Sequence, residues 1–147
     1  MTAISDIYDG LLTRVSAQLT SHNRLTNPFT IEANNDDFLR QGYTIRVVGG
    51  SIADQQSCML LHRTDFEVII TREHIAPDFN VGAKDDVIKN LLEDVQLIMD
   101  DFEKEPSISG SHDVLYQGHS SIEPVDEEKD NILSVIINMT ATFSRNL

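Results

Sequence analysis

The chain has 147 residues, 40% of them hydrophobic, which predicts one folded domain, residues 1–147, with a hydrophobic core. Its 24 acidic and 11 basic side chains give a formal net charge of -13, which disfavours tight binding to nucleic acids or to anionic membrane surfaces. No stretch of the sequence approaches the ~20 consecutive apolar residues that a membrane-spanning helix requires.

The N-terminal segment predicts an amphipathic helix from Ile4 to Leu19. Its apolar residues recur at three- and four-residue steps, namely Ile4, Ile7, Tyr8, Leu11, Leu12, Val15 and Leu19. Gly10 lies inside this helix, at a cost of about 1 kcal/mol relative to alanine. The first residues lack the basic flank, apolar stretch and cleavage site of a secretory signal, so we expect the protein to stay in the compartment where it is made.

A turn and two strands are predicted to follow. The polar residues and the proline of Ser21–Pro28 end the helix. A short strand is expected over Phe29–Ala33, closed by a turn at the next three residues. Alternation from Tyr43 to Val48 is typical of a half-buried strand, and we expect Gly49–Ser57 to form an exposed loop because two glycines begin it.

The next strand is predicted from the alternation around Phe66. Cys58–Leu61 leads into it, with Phe66, Val68 and Ile70 on one face and Glu67, Ile69 and Thr71 on the other. Glu73–Val81 contains a proline and an asparagine, which predicts a connecting loop. Cys58 is the only cysteine, which excludes an internal disulfide and a cysteine-only zinc site within one chain.

The longest periodic segment predicts a helix from Asp85 to Glu103. It gathers a broad apolar stripe, namely Val87, Ile88, Leu91, Leu92, Val95, Ile98, Met99 and Phe102, and leaves most of the polar residues, Asp94 among them, outside it. Asp85 and Asp86 are expected in the first turn, where carboxylates suit the helix dipole, and Pro106 is expected to stop the helix.

The C-terminal third predicts two strands and an acidic loop. A strand is expected from Val114 to Ile122, and the charged segment Glu123–Asp130 is expected to be a solvated loop. The last strand shows the clearest alternation, with apolar residues at every second position from Leu133 to Phe143. Alternation implies that each strand has one buried face and one solvent-exposed face. We therefore predict an α+β fold with a mixed, mostly antiparallel sheet of four to five strands and two main helices packed on one face.

The chain offers little that is typical of an active site. The five histidines, His22, His62, His74, His112 and His119, lack a zinc-protease spacing. Asp113 lies between His112 and His119, so a small metal- or histidine-dependent hydrolase remains an alternative, with surface histidines as the simpler interpretation. No serine lies in a nucleophile elbow, and no glycine-rich phosphate loop is present. We therefore predict no catalytic, cofactor-binding or metal-binding residues.

Several stretches taken in order resemble the tail-terminator, or tail-completion, proteins of long-tailed bacteriophages. These are the N-terminal helix, an extended segment containing PFTIEA, the charged strand RTDFEVIITRE at Arg63–Glu73, the helix from Asp85, and ILSVIINMTATFS at Ile132–Ser144. The resemblance spans nearly the whole chain and concerns the order of its elements and their general sequence character. It implies a structural virion protein without catalytic residues or cofactor.

The resemblance also implies partners. Such proteins form a ring, usually a hexamer, that stacks on the last ring of the tail tube, stops tube growth and presents a surface to a head-completion or connector protein. The implied location is the neck of the virion, and the host cytoplasm during assembly. DNA passes through such a ring only as cargo, and no membrane is involved.

An acidic lining is one way to keep passing DNA from adhering to such a ring. The residues expected to supply it are Asp36, Asp37, Glu123, Asp126, Glu127, Glu128 and Asp130. The simpler interpretation is that these acids keep the unassembled chain soluble. A different function class also fits the net charge: an acidic DNA mimic that blocks a DNA-binding protein, although the acids are scattered over separate elements.

Overall fold

A mostly antiparallel β-sheet and two α-helices form the part of the chain that the computed structural model describes, which comprises residues 4–24, 41–56, 59–73, 81–108, 112–126 and 129–146. The helices are α1 (Ile4–Gln18) and α2 (Val81–Lys104), and the strands are β1 (Asn23–Arg24), β2 (Gln41–Gln56), β3 (Met59–Glu73), β4 (Ser107–Ile108), β5 (His112–His119), β6 (Glu123–Asp126) and β7 (Lys129–Asn146). The predicted α+β class, with mostly antiparallel pairing and two helices, is confirmed.

Three long strands form the centre of the sheet. Its order is β1-β2-β3-β7-β5-β4, and β6 pairs with β7 on the same side as β5. Only the pairing of β1 with β2 is parallel among the strands described. We predicted four to five strands, whereas the described residues contain seven. The difference lies in β1, β4 and β6, which are too short to show an alternating pattern.

One hydrophobic cluster joins one face of the sheet to both helices. Its largest buried side chains are Ile7, Leu11, Ile45, Phe66, Ile70, Leu91, Ile98, Phe102, Ile137 and Met139. Helix α2 lies against β3, β5 and β7, while α1 lies mainly against α2 and β4. Packing of both helices on one sheet face is therefore only partly matched, because α1 reaches the sheet at its β4 edge.

The contact between α1 and β4 explains the glycine inside α1. Gly10 faces Ile108 of β4, and a Cβ atom at position 10 would overlap Ile108 Cγ2. Glycine therefore allows the helix and the strand to approach more closely than any other residue would.

The two glycines at positions 49 and 50 do not end β2. Pairing with β3 continues from Gly49, opposite Asp65, to Gln56, opposite Met59. The loop predicted over Gly49–Ser57 is therefore wrong for residues 49–56. Two β-bulges interrupt the side-chain alternation that identifies a strand in a sequence, while backbone hydrogen bonds to β3 hold the segment in place.

Two further boundaries differ from prediction. The expected strand Val114–Ile122 ends as β5 at His119, and the expected acidic loop contains β6, which pairs with β7. Helix α2 begins at Val81, so Asp85 and Asp86 lie beyond its first turn and do not cap it. Its end at Lys104, just before Pro106, agrees with prediction. The strand expected over Phe29–Ala33, Cys58 and residues 74–80 lie outside the described residues.

Candidate functional site

The outer edge of β2 is the most prominent unpaired backbone in the described part of the chain. β1 pairs with it only at Gly42 and Tyr43. From Thr44 to Gln56, the outward-pointing N–H and C=O groups have no strand partner among the described residues. Such an edge is a template for a strand of another chain.

Large apolar side chains are exposed along this edge. Val47, Val48 and Ile52 are 49%, 58% and 57% exposed. Val47 and Ile52 lie on one face of the sheet because the bulge after Val47 shifts the alternation by one residue, and Val48 lies on the other face. Natural edge strands that avoid self-association usually carry charged residues or proline. Between Val47 and Ile52 the edge carries neither.

The far half of β2 belongs to a three-stranded extension, which we call the arm. It contains residues 52–56 of β2, 59–62 of β3 and 143–146 of β7, which pair side by side beyond the last pairing of β5 with β7 at Thr142. The His62 ring stacks on the Phe143 ring at 5.1 Å between centroids. Within the described residues, His62 Nε2 is buried without a hydrogen-bond partner. Strand pairing and this ring stack therefore hold the arm together.

A buried ion cluster lies on the other side of the molecule from the arm, centred on Asp94 of α2. Arg72 of β3 donates to both carboxylate oxygens, at 2.7 Å from Nε and 3.0 Å from Nη2, and His22 Nε2 lies 3.1 Å from Oδ2. Burial alone would raise the pKa of the Asp94 carboxyl, but the hydrogen bonds and positive charge that face it hold that pKa below its usual value.

The sequence did not reveal this cluster. Asp94 is only 3% exposed, although we placed it outside the apolar stripe of its helix. It occupies a position of the buried face, next to Val95 and one turn from Ile98. Because Arg72 and His22 contact both oxygens of Asp94, the cluster connects α2, β3 and the segment before β1. Within the described part of the chain, His22 Nδ1 is buried without a hydrogen-bond partner.

A second connection joins α1 to the end of α2. The Arg14 guanidinium lies 3.9 Å from the centre of the Phe102 ring. It donates to the Asp101 carboxylate at 3.1 Å, to the Asp101 carbonyl at 2.9 Å and to the Ser107 carbonyl at 3.1 Å. Arg14 thereby satisfies main-chain acceptors at the C-terminus of α2 and at β4.

The acids predicted to line a channel are only partly within the described residues. Asp36, Asp37, Glu127 and Glu128 lie outside them. Glu123 and Asp126 are on β6, and Asp130 is on β7, the strand that pairs with it. Glu123 is exposed and accepts a hydrogen bond from Ser121 Oγ at 3.0 Å. The backbone thus places three of the seven acids on one hairpin, with Lys129 opposite Asp126.

The described residues do not form an assembled site for the histidine-dependent hydrolase considered above. Asp113 and His119 are exposed and lie six residues apart on β5, which corresponds to about 20 Å along a strand. No set of three histidine, cysteine, aspartate or glutamate side chains within the described ranges has the spacing of a metal site. The structure does not describe the side chain of His112 or any part of His74.

Comparison with known proteins gives no identification. No protein-family model matches the sequence. No curated protein matches it either. Of the two helices that the structure describes, neither combines the length and apolar character that a membrane span requires.

Proposed function

We propose that the chain is a structural protein that assembles with copies of itself through the outer edge of β2. The observation that carries this proposal is the outer edge of β2 from Thr44 to Gln56, which pairs with no other described strand and bears exposed Val47, Val48 and Ile52. Adding a strand to this edge would satisfy its backbone groups, and the valine and isoleucine side chains would contribute apolar contact.

The sheet offers a second edge for the neighbouring copy. Among the described residues, β4 covers β5 at His112 and Asp113, and the Val114 N–H donates to the Pro106 carbonyl, so the outer side of β5 has no described strand partner from Leu115 to His119. A contact between β2 of one copy and β5 of the next would use two different surfaces. Such head-to-tail contacts close into rings when the rotation between copies permits.

A ring of this kind agrees with the resemblance to phage tail terminators. We propose that the ring, a hexamer in that family, ends the tail tube, contacts the tube protein on one side and a head-completion or connector protein on the other, and lets DNA pass. The acids of the β6–β7 hairpin, Glu123, Asp126 and Asp130, are proposed to face the passing DNA together with Asp36, Asp37, Glu127 and Glu128.

Sedimentation velocity combined with electron microscopy of the purified protein tests the self-assembly. The wild-type chain is expected to form rings in a concentration-dependent manner. Ile52→Lys places a charge in the proposed contact and is expected to leave a folded monomer. Leu97→Lys is the matched control, because Leu97 is 45% exposed on α2, away from β2, and should leave the rings intact. Equal behaviour of both variants would contradict the proposal.

One observation favours the acidic DNA mimic as a second candidate. Five exposed carboxylates follow the outer face of α2, at Asp85, Asp86, Glu93, Asp100 and Glu103. They span nineteen residues, about 27 Å of helix. A defined one-to-one complex with a DNA-binding protein, competed by duplex DNA and weakened by replacing these acids with their amides, would support this candidate. A homomeric ring would support the terminator.

A further inference from the structure

The open edge of β2 is centred on a glycine. Among the described residues it runs from Thr44, which follows the last residue paired with β1, to Gln56, where β2 ends. Gly50 lies six residues from either end. If two copies pair this edge with itself, antiparallel and with Gly50 on the two-fold axis, the whole open edge enters one ladder. Any other register of self-pairing leaves part of the edge open.

That register brings together the only two charged residues of the edge. Between Thr44 and Gln56 the sequence carries one basic residue, Arg46, and one acidic residue, Asp54. Each lies four residues from Gly50, on opposite sides of it. Arg46 of one copy therefore comes opposite Asp54 of the other, and the two-fold axis repeats the contact. Cross-strand pairs of opposite charge stabilise antiparallel strands.

The two bulges of β2 preserve this match. One follows Val47 and the other follows Ile52, so each half of the edge contains one extra residue. Arg46 and Asp54 project from the same sheet face, since the residues of β3 that they pair with are six positions apart. Val47 and Ile52, which are both exposed, project from the other face. The same register places Val47 of one copy beside Ile52 of the other, so it adds an apolar contact.

Asp54 is the member of this pair that lacks a charge partner within the described part of the chain. Its side chain is exposed, and the hydrogen bond described for it comes from the Gln55 N–H at 2.8 Å. Arg46 donates from Nε and Nη2 to the Glu67 carboxylate. The Arg46 side chain is 34% exposed, and its Nη1 has no described partner. Because a guanidinium has five donors, Arg46 can keep Glu67 and also reach a carboxylate of a second copy.

We propose that two copies of the chain pair their β2 edges antiparallel about Gly50, in a dimer with two contacts between Arg46 and Asp54. This inference rests on the proposed function only in using the same edge. One β2 edge cannot hold a second β2 and the β5 of a ring neighbour at the same time. The dimer, whose isologous contact closes with two copies, therefore covers the edge of unassembled chains, and ring growth displaces it.

Cysteine cross-linking in a Cys58→Ser background tests the register. Ser51 and Gln55 are both exposed. In the proposed dimer the two copies of residue 51 are offset by two positions along the ladder, about 7 Å, and the two copies of residue 55 by ten positions, about 33 Å. A short bis-maleimide should link Ser51→Cys to itself and leave Gln55→Cys unlinked. Equal linking of the two variants would overturn the proposed register.

Charge reversal tests the contact between Arg46 and Asp54. Asp54→Lys places an ammonium opposite Arg46 and is expected to raise the dissociation constant of the dimer about tenfold, as measured by sedimentation equilibrium. Asp100→Lys is the matched control, because it makes the same change of net charge at an exposed position of α2, and it should not weaken the dimer. An equal loss in both variants would overturn the proposed contact.

The same measurements separate the dimer from the ring. Rings without cross-links at residue 51 would overturn the dimer and leave the proposed function standing. A cross-linked dimer that never proceeds to rings would support the dimer and contradict the head-to-tail ring. A monomer at every concentration would contradict both.

Discussion

The Asp94 carboxylate receives hydrogen bonds from Arg72 on β3 and from His22, which lies between α1 and β1. A carboxylate buried to this extent is tolerated because its partners replace the hydrogen bonds and the charge stabilisation that water would otherwise provide. Removing one member therefore does more than remove a contact, since it leaves the remaining charge buried without compensation.

We expect Asp94→Ala to lower the free energy of unfolding by about 3–5 kcal/mol, the usual cost of breaking a buried ion pair from one side. Urea denaturation measures the change. Asp100→Ala is the matched control on the same helix, because Asp100 is exposed and, among the described residues, accepts a side-chain hydrogen bond from Gln96 alone. It should have little effect. Equal losses in both variants would mean that burial of the cluster is unimportant to stability.

The lowered pKa of Asp94 also predicts a pH dependence. An unfolded aspartate titrates at about 3.9, so the folded state binds fewer protons than the unfolded state in the acidic range. The stabilisation is complete above the unfolded pKa and disappears as the pH falls from there through the folded pKa. In urea titrations between pH 7 and pH 3, wild-type protein should lose stability more steeply than Asp94→Asn. Parallel profiles would contradict the assignment.

Gly10 gives a prediction of unusual sign. Replacing a glycine inside a helix by alanine normally stabilises by about 1 kcal/mol. Here the added Cβ atom meets Ile108 Cγ2, so we expect Gly10→Ala to destabilise by about 1–3 kcal/mol, as overpacking does. The loss should shrink in an Ile108→Ala background, which a double-mutant cycle by thermal denaturation measures. A stabilising Gly10→Ala would show that α1 and β4 are less closely packed.

At the level of elements, two adjacent leucines show which face of α2 is buried. Leu91 is fully buried, whereas Leu92 is 43% exposed, although both were expected in the apolar stripe. Leu91→Ala should cost about 2–5 kcal/mol, the range for a buried leucine. Leu92→Ala should cost well under half of that. Chemical denaturation of both variants measures the difference, and similar losses would indicate that Leu92 is covered.

The limits of sequence reasoning are visible in the same elements. Periodicity located α1, α2 and the buried alternation of β7 because each presents one continuous apolar face. It failed where partners decide the structure: residues 49–56 form a strand because β3 pairs with them, and β6 forms because β7 does. The rotation of α2 was also only partly predictable, since Asp94 is a charged residue whose burial depends on Arg72 and His22, which lie on other elements.

At the level of the whole molecule, the net charge opposes the self-assembly that we propose for the β2 edge. Copies with a formal net charge of -13 repel one another, and this repulsion is screened over about 10 Å at 0.1 M salt and about 3 Å at 1 M. We therefore expect self-association to strengthen between about 0.1 and about 1 M NaCl, the range over which the screening length falls, as measured by sedimentation velocity. Dissociation with rising salt would indicate that ion pairs, and not the strand edge, hold the copies together.

The position of β7 in the chain has a consequence for synthesis. β7 separates β3 from β5 in the sheet, yet it follows both in sequence. During translation, one edge of β3 and one edge of β5 remain unpaired until residues 129–146, which form β7, leave the ribosome. Native pairing is therefore delayed and involves distant parts of the chain, a topology that folds slowly and exposes nascent chains to misassembly. Yield in a cell should accordingly respond to chaperone supply and growth temperature more than the equilibrium stability alone would suggest.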